Sequence, residues 1–311
     1  MMTLVCQEKM DEIKRGHIPV MLEEVMEFLD PKENDVMVDG TLGLGGHAEA
    51  ILKRIGPRGR LVGIDKDRLS LRAAKERLRP YVEQAHFVQG DFRDLDRILS
   101  ELGITKVNGI FLDLGISSVQ LDDPQRGFSF QAQGPLDMRM DKNNPLSAFE
   151  LVNSLPEKDL AVILRDYGEE RWHNRIARTI VRQRSMRPIE TTGDLREVVL
   201  KAVPSRKGRG EGIHPATRTF QAIRIAVNRE LESIVIVLKK CVDLLAPGGR
   251  IAVIAFHSLE DRIVKQQFRD WAKDGKVKLV FKKPLRPGEK EYQENPRARS
   301  ARLRIAERTA E

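Results

Sequence analysis

Cysteine is scarce: Cys6 and Cys241 are the only two in 311 residues. They lie far apart, which excludes a disulfide framework and a clustered-thiolate metal site and suits a reducing compartment. No apolar run approaches the length of a membrane span, and the N-terminus lacks the pattern of a signal peptide. Internal repeats are absent. His47, His214 and His257 show no metal-ligand spacing. These absences lead to the expectation of a soluble cytoplasmic protein without a metal. No coiled coil or apolar stripe announces a dimer, which leaves the choice between monomer and homodimer open.

What is present is a hydrophobic fraction of 41%, enough for a packed core, and a formal charge of +8. An excess of that sign suits a polyanionic partner. It is concentrated: residues 165–209 hold twelve Lys/Arg against six Asp/Glu, a surplus of six.

The first part of the chain alternates strand and helix. Strands are expected at 36–39, 61–65, 86–90 and 109–113, with helices at 47–55, 68–79 and 93–102 between them. This is the pattern of a parallel α/β sheet covered on both faces. Asp39, Asp65, Asp91 and Asp113 fall at the carboxyl ends of these strands, where such sheets bind ligands, so four carboxylates are expected at one crevice. From about 125 to 215 no strong strand is seen. Pro124, Pro135, Pro145 and Pro156 punctuate a loop-rich approach, followed by helices at 157–167, 169–186 and 193–203. The α/β pattern resumes with one long helix over 216–245, a strand at 250–256, a helix at 259–273 and late strands at 276–281 and 301–306. In the last, Arg302 and Arg304 alternate with apolar residues, as on a strand with one wet face. The expected organisation is a discontinuous α/β domain (1–124 and 216–311) with a helical insertion at 125–215.

Val36-Met-Val-Asp-Gly-Thr-Leu-Gly-Leu-Gly-Gly-His47 is the most informative stretch. A short strand ends in Asp39, glycines follow at 40, 43, 45 and 46, and a helix begins. Glycines permit a sharp turn and a close approach, and the helix start offers N–H groups to a negative group. A plain strand-to-helix turn would look similar. Asp65, at the end of the next strand, stands about twenty residues on, where such folds place an acid on ribose hydroxyls. Two cofactor classes fit. Gly43-x-Gly45-x-x-Ala48 satisfies a loose dinucleotide fingerprint, and the stretch also resembles the first motif of class I S-adenosylmethionine (SAM) methyltransferases, with Thr41 where that pattern often has glycine. That second resemblance implies a Rossmann-like sheet, Asp65 on the ribose and Asp91-Phe92 beside the adenine.

The segment Asp113-Leu-Gly-Ile-Ser-Ser-Val-Gln120 leaves the fourth strand, where amino-group methyltransferases keep their catalytic loop. The lone pair of an exocyclic amine is delocalised into the base. An acceptor beside the N–H localises it as the amine attacks in line, so catalysis is mostly positioning and electrostatics. Asp113, Ser117, Ser118 and Gln120 are suitable groups; a polar turn capping the next element is the plainer reading. Arg126-Gly-Phe-Ser-Phe130 and Gly134-Pro-Leu-Asp-Met-Arg-Met-Asp141 resemble the RsmH (MraW) family. So do His17-Ile-Pro-Val-Met21, Arg218-Thr-Phe-Gln-Ala-Ile-Arg-Ile-Ala-Val-Asn-Arg-Glu230, Phe256-His-Ser-Leu-Glu-Asp-Arg262 and Asn295-Pro-Arg-Ala-Arg-Ser-Ala-Arg-Leu-Arg304. These blocks cover nearly the whole chain in the family's order; Val119 departs from the proline of many members. The resemblance implies methylation of a cytosine N4 in 16S ribosomal RNA, in the setting of the small ribosomal subunit, with SAM contacts at Gly45, Gly46, His47, Asp65, Phe92, Asp113 and Gln120 and with Asp113 as the catalytic residue. Neither cysteine has the setting of a covalent nucleophile, which argues against methylation at ring carbon C5.

The insertion adds an independent argument. Arg171, Arg175, Arg178 and Arg182 are spaced four, three and four, within about 60° of one another on a helix, with Trp172, Ile176 and Ile180 to another side. A basic ridge of this kind suits phosphates, although a charged face is often only solvated. Arg206, Lys207 and Arg209 add a basic loop. Phe128 and Phe130 are candidates to stack on a base or to sit in a core, and His257 is either a pocket residue or a helix cap. Two rivals remain at this stage: an NAD-dependent oxidoreductase, which would bind a dinucleotide, and a non-enzymatic RNA-binding or assembly factor, which would bind RNA without methyl transfer.

Overall fold

A computed structural model describes residues 18–204 and 213–310. The chain forms two units: one from the residues up to Ser117 together with those from Leu231 onward, the other from Ser118–Glu230. Cys6, His17, Arg206, Lys207 and Arg209 lie outside the described residues. Among the described residues no helix is long and apolar enough to cross a membrane.

The first unit is built on seven strands in the order β3-β2-β1-β4-β5-β7-β6. They are β1 (Val36–Asp39), β2 (Arg60–Asp65), β3 (Ala85–Gln89), β4 (Val107–Asp113), β5 (Leu245–Ala255), β6 (Val277–Leu279) and β7 (Arg302–Arg308). β1 to β5 run parallel; β7 pairs antiparallel with both β5 and β6. The parallel strands are near-continuous apolar runs because both faces are covered. On one face Val38, Val62, Ile64, Ile110, Leu112 and Val253 join Leu95, Ile98, Val237, Leu238, Val264 and Phe268 of the helices Leu95–Glu101, Glu230–Leu244 and Ser258–Lys273. On the other, Met37, Leu61, Phe111, Ala252 and Ile254 join Val25, Leu29, Ile51, Leu52, Ile55 and Leu71 of the helices Leu22–Leu29, Gly46–Ile55 and Arg68–Arg77. Ala48, Ile51, Leu52 and Ile55 are buried at the three- and four-residue spacing that makes one helical stripe. The chain leaves β1 for β2 and β3 and returns to β4 on the other side of β1. That reversal opens a crevice beyond the carboxyl ends of β1 and β4.

Two expectations about the later part of the chain change. The helix expected over 216–245 is two helices, Ala216–Asn228 and Glu230–Leu244, because Arg229 adopts a left-handed conformation (φ 51°). Arg302 and Arg304 do not form a wet face: Asp261 of the Ser258–Lys273 helix accepts from Arg302 Nη1 (3.0 Å) and from Arg304 Nε (2.7 Å) and Nη2 (3.2 Å). A helix covers that side of the strand, and a shared carboxylate neutralises the charge that alternation alone had assigned to solvent.

The second unit is helical: Ser118–Asp122, Ala148–Ser154, Glu157–Asp166, His173–Arg184, Thr192–Ala202 and Ala216–Asn228. The expected insertion lies within it, and the Ala216–Asn228 helix packs on Glu157–Asp166 and Ala148–Ser154. Loop 123–147 is held from inside. Arg126 is fully buried, and its Nη2 donates to the carbonyls of Arg139 (2.9 Å) and Met140 (3.1 Å). Asn228 accepts from Met140 N–H (2.8 Å) and donates to Met138 O (2.8 Å). Both family-like blocks in this loop are therefore internal braces. Ser147 and Thr191 close capping boxes with Glu150 and Asp194, fixing two helix starts.

Ile110 is fully buried at the centre of the sheet. Ile110→Ala is expected to destabilise the protein by about 2–5 kcal/mol, the cost of lost burial plus a cavity, read as a lower midpoint in urea unfolding.

Candidate active site

The glycine loop hangs between two strand ends. Asp39, buried at the end of β1, accepts from Thr41 N–H (3.1 Å). Thr41 Oγ1 accepts from the backbone N–H of Asp113 (2.6 Å), so the loop is fastened to β4. Gly40 N–H donates to Phe111 O (2.9 Å) and Leu42 N–H to Ile64 O (2.9 Å), tying the loop to β4 and β2 as well. Gly45 is left-handed (φ 76°), and a Cβ there would meet Leu78; a Cβ on Gly46 would lie 2.5 Å from Pro19 Cγ. The glycines at 45 and 46 are thus required by turn geometry and by packing against the protein's own side chains. The Gly46–Ile55 helix begins immediately after the turn.

Asp65 closes the loop from β2. Its Oδ2 accepts from Gly43 N–H (2.8 Å) and its Oδ1 from Asp67 N–H (2.8 Å). Each oxygen keeps a second lone pair for a hydroxyl donor. Asp91 serves differently from the other strand-end acids. Lys66 Nζ (2.9 Å), Arg93 Nε (3.3 Å) and Ser233 Oγ (3.1 Å) surround its carboxylate, which makes it a brace between β3 and the Glu230–Leu244 helix. Phe92 follows, half-buried, with Lys66 Nζ 5.6 Å from its ring centre.

Asp113 ends β4. Its Oδ2 lies 3.9 Å from His47 Nδ1. Its Oδ1 is buried and, among the described residues, has no hydrogen-bond partner. Burial, then the nearby charges of Asp39 and Glu260, push its carboxyl well above the usual range. Burial also raises Asp39 to about 7, with Asp65 adding to the shift. Burial raises Asp65 to about 6 against the two backbone N–H donors that lower it. Three enclosed acids at one crevice favour a partner that brings positive charge or hydroxyl donors.

Other expected residues sort as follows. Ser117 Oγ is 3.4 Å from Ser70 Oγ in the first unit. Ser118 and Gln120 belong to the second unit, both buried on Ser118–Asp122. His257 is a helix cap, its Nδ1 accepting from Glu260 N–H (3.4 Å) while the Glu260 carboxylate accepts from His257 N–H (3.2 Å). Phe128 is buried. Phe130 stacks on His214 (4.6 Å) and meets Phe220 edge-on (5.1 Å) within the second unit.

Arg175, Arg178 and Arg182 are exposed on the His173–Arg184 helix, opposite the buried Ile176, Ala177 and Ile180. Arg171 is not on that helix. Glu169 is left-handed (φ 47°) and the Glu170 side chain accepts from Trp172 N–H (2.8 Å), which delays the first turn to His173. Arg171 instead lies over the Trp172 ring at 5.2 Å. Residues that pattern reading passed over are Thr41, Glu260 and Arg184. The last donates to the carbonyls of Val152 and Leu155 (2.6 Å each) and is a brace. The His257-x-x-Glu260 spacing of a capping box was the available signal for Glu260.

The shifted acids give a signed pH dependence. Their folded values lie above the ordinary carboxylate range, so the fold holds their protons more tightly than the unfolded chain. The stability they contribute is full below about pH 4 and is lost as pH rises through 6 to 7. The paired acids with lowered values, such as Asp137 and Asp261, are already ionised in that window. The urea midpoint of the unliganded protein should therefore fall between pH 5 and about 7.5, and Asp39→Asn should flatten that fall.

The strand order departs from a dinucleotide-binding sheet, whose sixth strand continues the parallel run; here antiparallel β7 sits between β5 and β6. The sequence model of the MraW methylase family matches residues 14–309. Ribosomal RNA small subunit methyltransferase H of Heliobacterium modesticaldum is 47% identical over 308 residues, covering 94% of this chain and 98% of the relative. Its namesake from Halothermothrix orenii is 47% identical over 94% of this chain and 98% of its own length. That of Symbiobacterium thermophilum is 48% identical over 93% and 95%. The chain belongs to the MraW methylase family.

Proposed function

We propose that this protein transfers a methyl group from SAM to the N4 exocyclic amine of a cytidine in small-subunit (16S) ribosomal RNA. The observation that carries the reading is Asp113 Oδ1, a buried acceptor without a hydrogen-bond partner among the described residues, at the crevice where the strand order reverses. The relatives' names supply the substrate class.

The residues present fit the cofactor. Asp65 has a lone pair left on each oxygen for the ribose hydroxyls. Gly45, Gly46 and His47 open a helix at the same loop, on the side assigned to the methionine part, and Phe92 offers a ring face for the adenine. When bound, SAM supplies an activated methyl on a cationic sulfur, a charge that three enclosed acids favour. Asp113 accepts a hydrogen bond from the amine, aims its lone pair and takes the proton released as nitrogen becomes alkylated.

The second unit is the RNA-recognition part in this reading. Arg175, Arg178 and Arg182 present exposed guanidinium groups along one helix face, with Arg171 beside its start. Arg206, Lys207 and Arg209 extend the basic segment in sequence.

Asp113→Ala should cut methyl transfer by at least about 10²-fold, the scale of a lost general base, while the far-ultraviolet spectrum and unfolding midpoint stay in the folded range. Full activity would remove Asp113 from the reaction. Replacing Arg175, Arg178 and Arg182 together by Gln should lower the salt slope of RNA binding by roughly 2 to 3, about one per phosphate contact, and leave SAM affinity unchanged. An unchanged slope would remove the ridge from the interface.

A further inference from the structure

Three observations in the first unit meet at His47. Its Nε2 lies 2.9 Å from Val20 O. A carbonyl only accepts, so Nε2 carries the hydrogen, and in the neutral ring the lone pair sits on Nδ1. Nδ1 is the nitrogen aimed at Asp113, 3.9 Å from Oδ2. The ring is buried and packs on Phe111 at 4.5 Å, which fixes its plane.

The segment that sets this tautomer is itself fastened. Pro19 lies against the Cα of Gly46. Met21 N–H donates to Glu291 Oε1 (2.8 Å), and Asn295 Nδ2 donates to Ile18 O (3.3 Å). Residues 18–21 therefore form a strap, held by 291–295, whose Val20 carbonyl decides which His47 nitrogen faces the crevice.

Among the described residues, the other charged groups that act on Asp113 are acids: Asp39 at the end of β1 and Glu260 on the Ser258–Lys273 helix, with Asp65 acting on Asp39. Thr41 adds a hydroxyl that is committed to Asp113 N–H. His257 turns its Nε2 to Glu260 Oε1 at 3.1 Å. Among the described residues, His47 is thus the basic group directed at Asp113.

We propose that His47 is a positioning residue for methyl transfer: its Nδ1 takes the proton from Asp113 Oδ2, so that Asp113 meets the cytosine amine as a carboxylate. The proposal rests on the function proposed above. In the first step the Asp113 O–H bond breaks and the Nδ1–H bond forms, leaving imidazolium beside carboxylate. In the second, the amine nitrogen bonds to the methyl carbon as the carbon–sulfur bond breaks. The N–H bond then yields its proton to Asp113 Oδ1, and its electron pair stays on nitrogen. One proton leaves to solvent and the neutral ring returns. A modest closure, or one water, spans the 3.9 Å between Nδ1 and Oδ2.

His47→Gln keeps a donor for Val20 O and removes the second nitrogen. Its kcat should fall by at least about tenfold at pH 6.5 and recover to within about threefold of the wild type near pH 9, with its acid limb moved upward. Asp39→Asn, which removes a negative neighbour, should move that limb downward. A loss by one factor at every pH, with the limb unmoved, would show a merely structural role and overturn the proposal. Nitrogen-15 NMR of the unliganded enzyme, labelled in histidine, tests the tautomer without any reaction. Hydrogen on Nε2 of His47 is expected, and hydrogen on Nδ1 would overturn the proposal. An active wild type beside a His47→Gln variant silent at all pH values would overturn this proposal alone; a silent wild type would overturn the methyl-transfer reading and the proposal with it.

Discussion

The hydrogen bond from the Asp113 backbone to the Thr41 hydroxyl is the contact on which the site depends. β1 and β4 are neighbours only because the chain reverses its strand order there. The bond converts that adjacency into a fixed relation between the glycine loop and the end of β4. Asp65 completes the frame from β2 by gripping Gly43. With the loop tied to three strands, its helix start, the Asp65 carboxylate and the buried Asp113 oxygen are held at one crevice.

The same frame concentrates negative charge where water is scarce. Asp39, Asp65 and Asp113 all hold their protons more tightly in the folded protein than in the unfolded chain, for one reason: burial penalises the carboxylate more than backbone donors reward it. This is a cost to the unliganded fold and an advantage to a cationic ligand with hydroxyl donors. Local stability is given up at the crevice, while the apolar layers on both sheet faces hold the fold.

Much of this was legible in the sequence, because the signals were local and strong. Apolar runs ending in Asp39, Asp65 and Asp113 marked strand ends, and glycines at 43, 45 and 46 marked the turn. The family-like blocks carried the chemistry and the substrate class. What was not legible came from contacts distant in sequence. Nothing near Arg302 and Arg304 announces that Asp261 covers them. Arg126 and Asn228 prove to be braces for loop 123–147, a role their sequence neighbours do not announce, since only the fold shows the backbone groups they serve. The break at Arg229 and the late start of the His173–Arg184 helix after Glu169 each turn on one left-handed residue that is itself neither glycine nor proline. The roles of the glycines changed too: Gly46 is small because Pro19 is there.

The most direct measurement is transfer from methyl-labelled SAM to small ribosomal subunits that lack the modification, followed by nucleoside mass spectrometry. The account predicts label in N4-methylcytidine. Label in any other nucleoside, or none from enzyme that binds SAM, would contradict it.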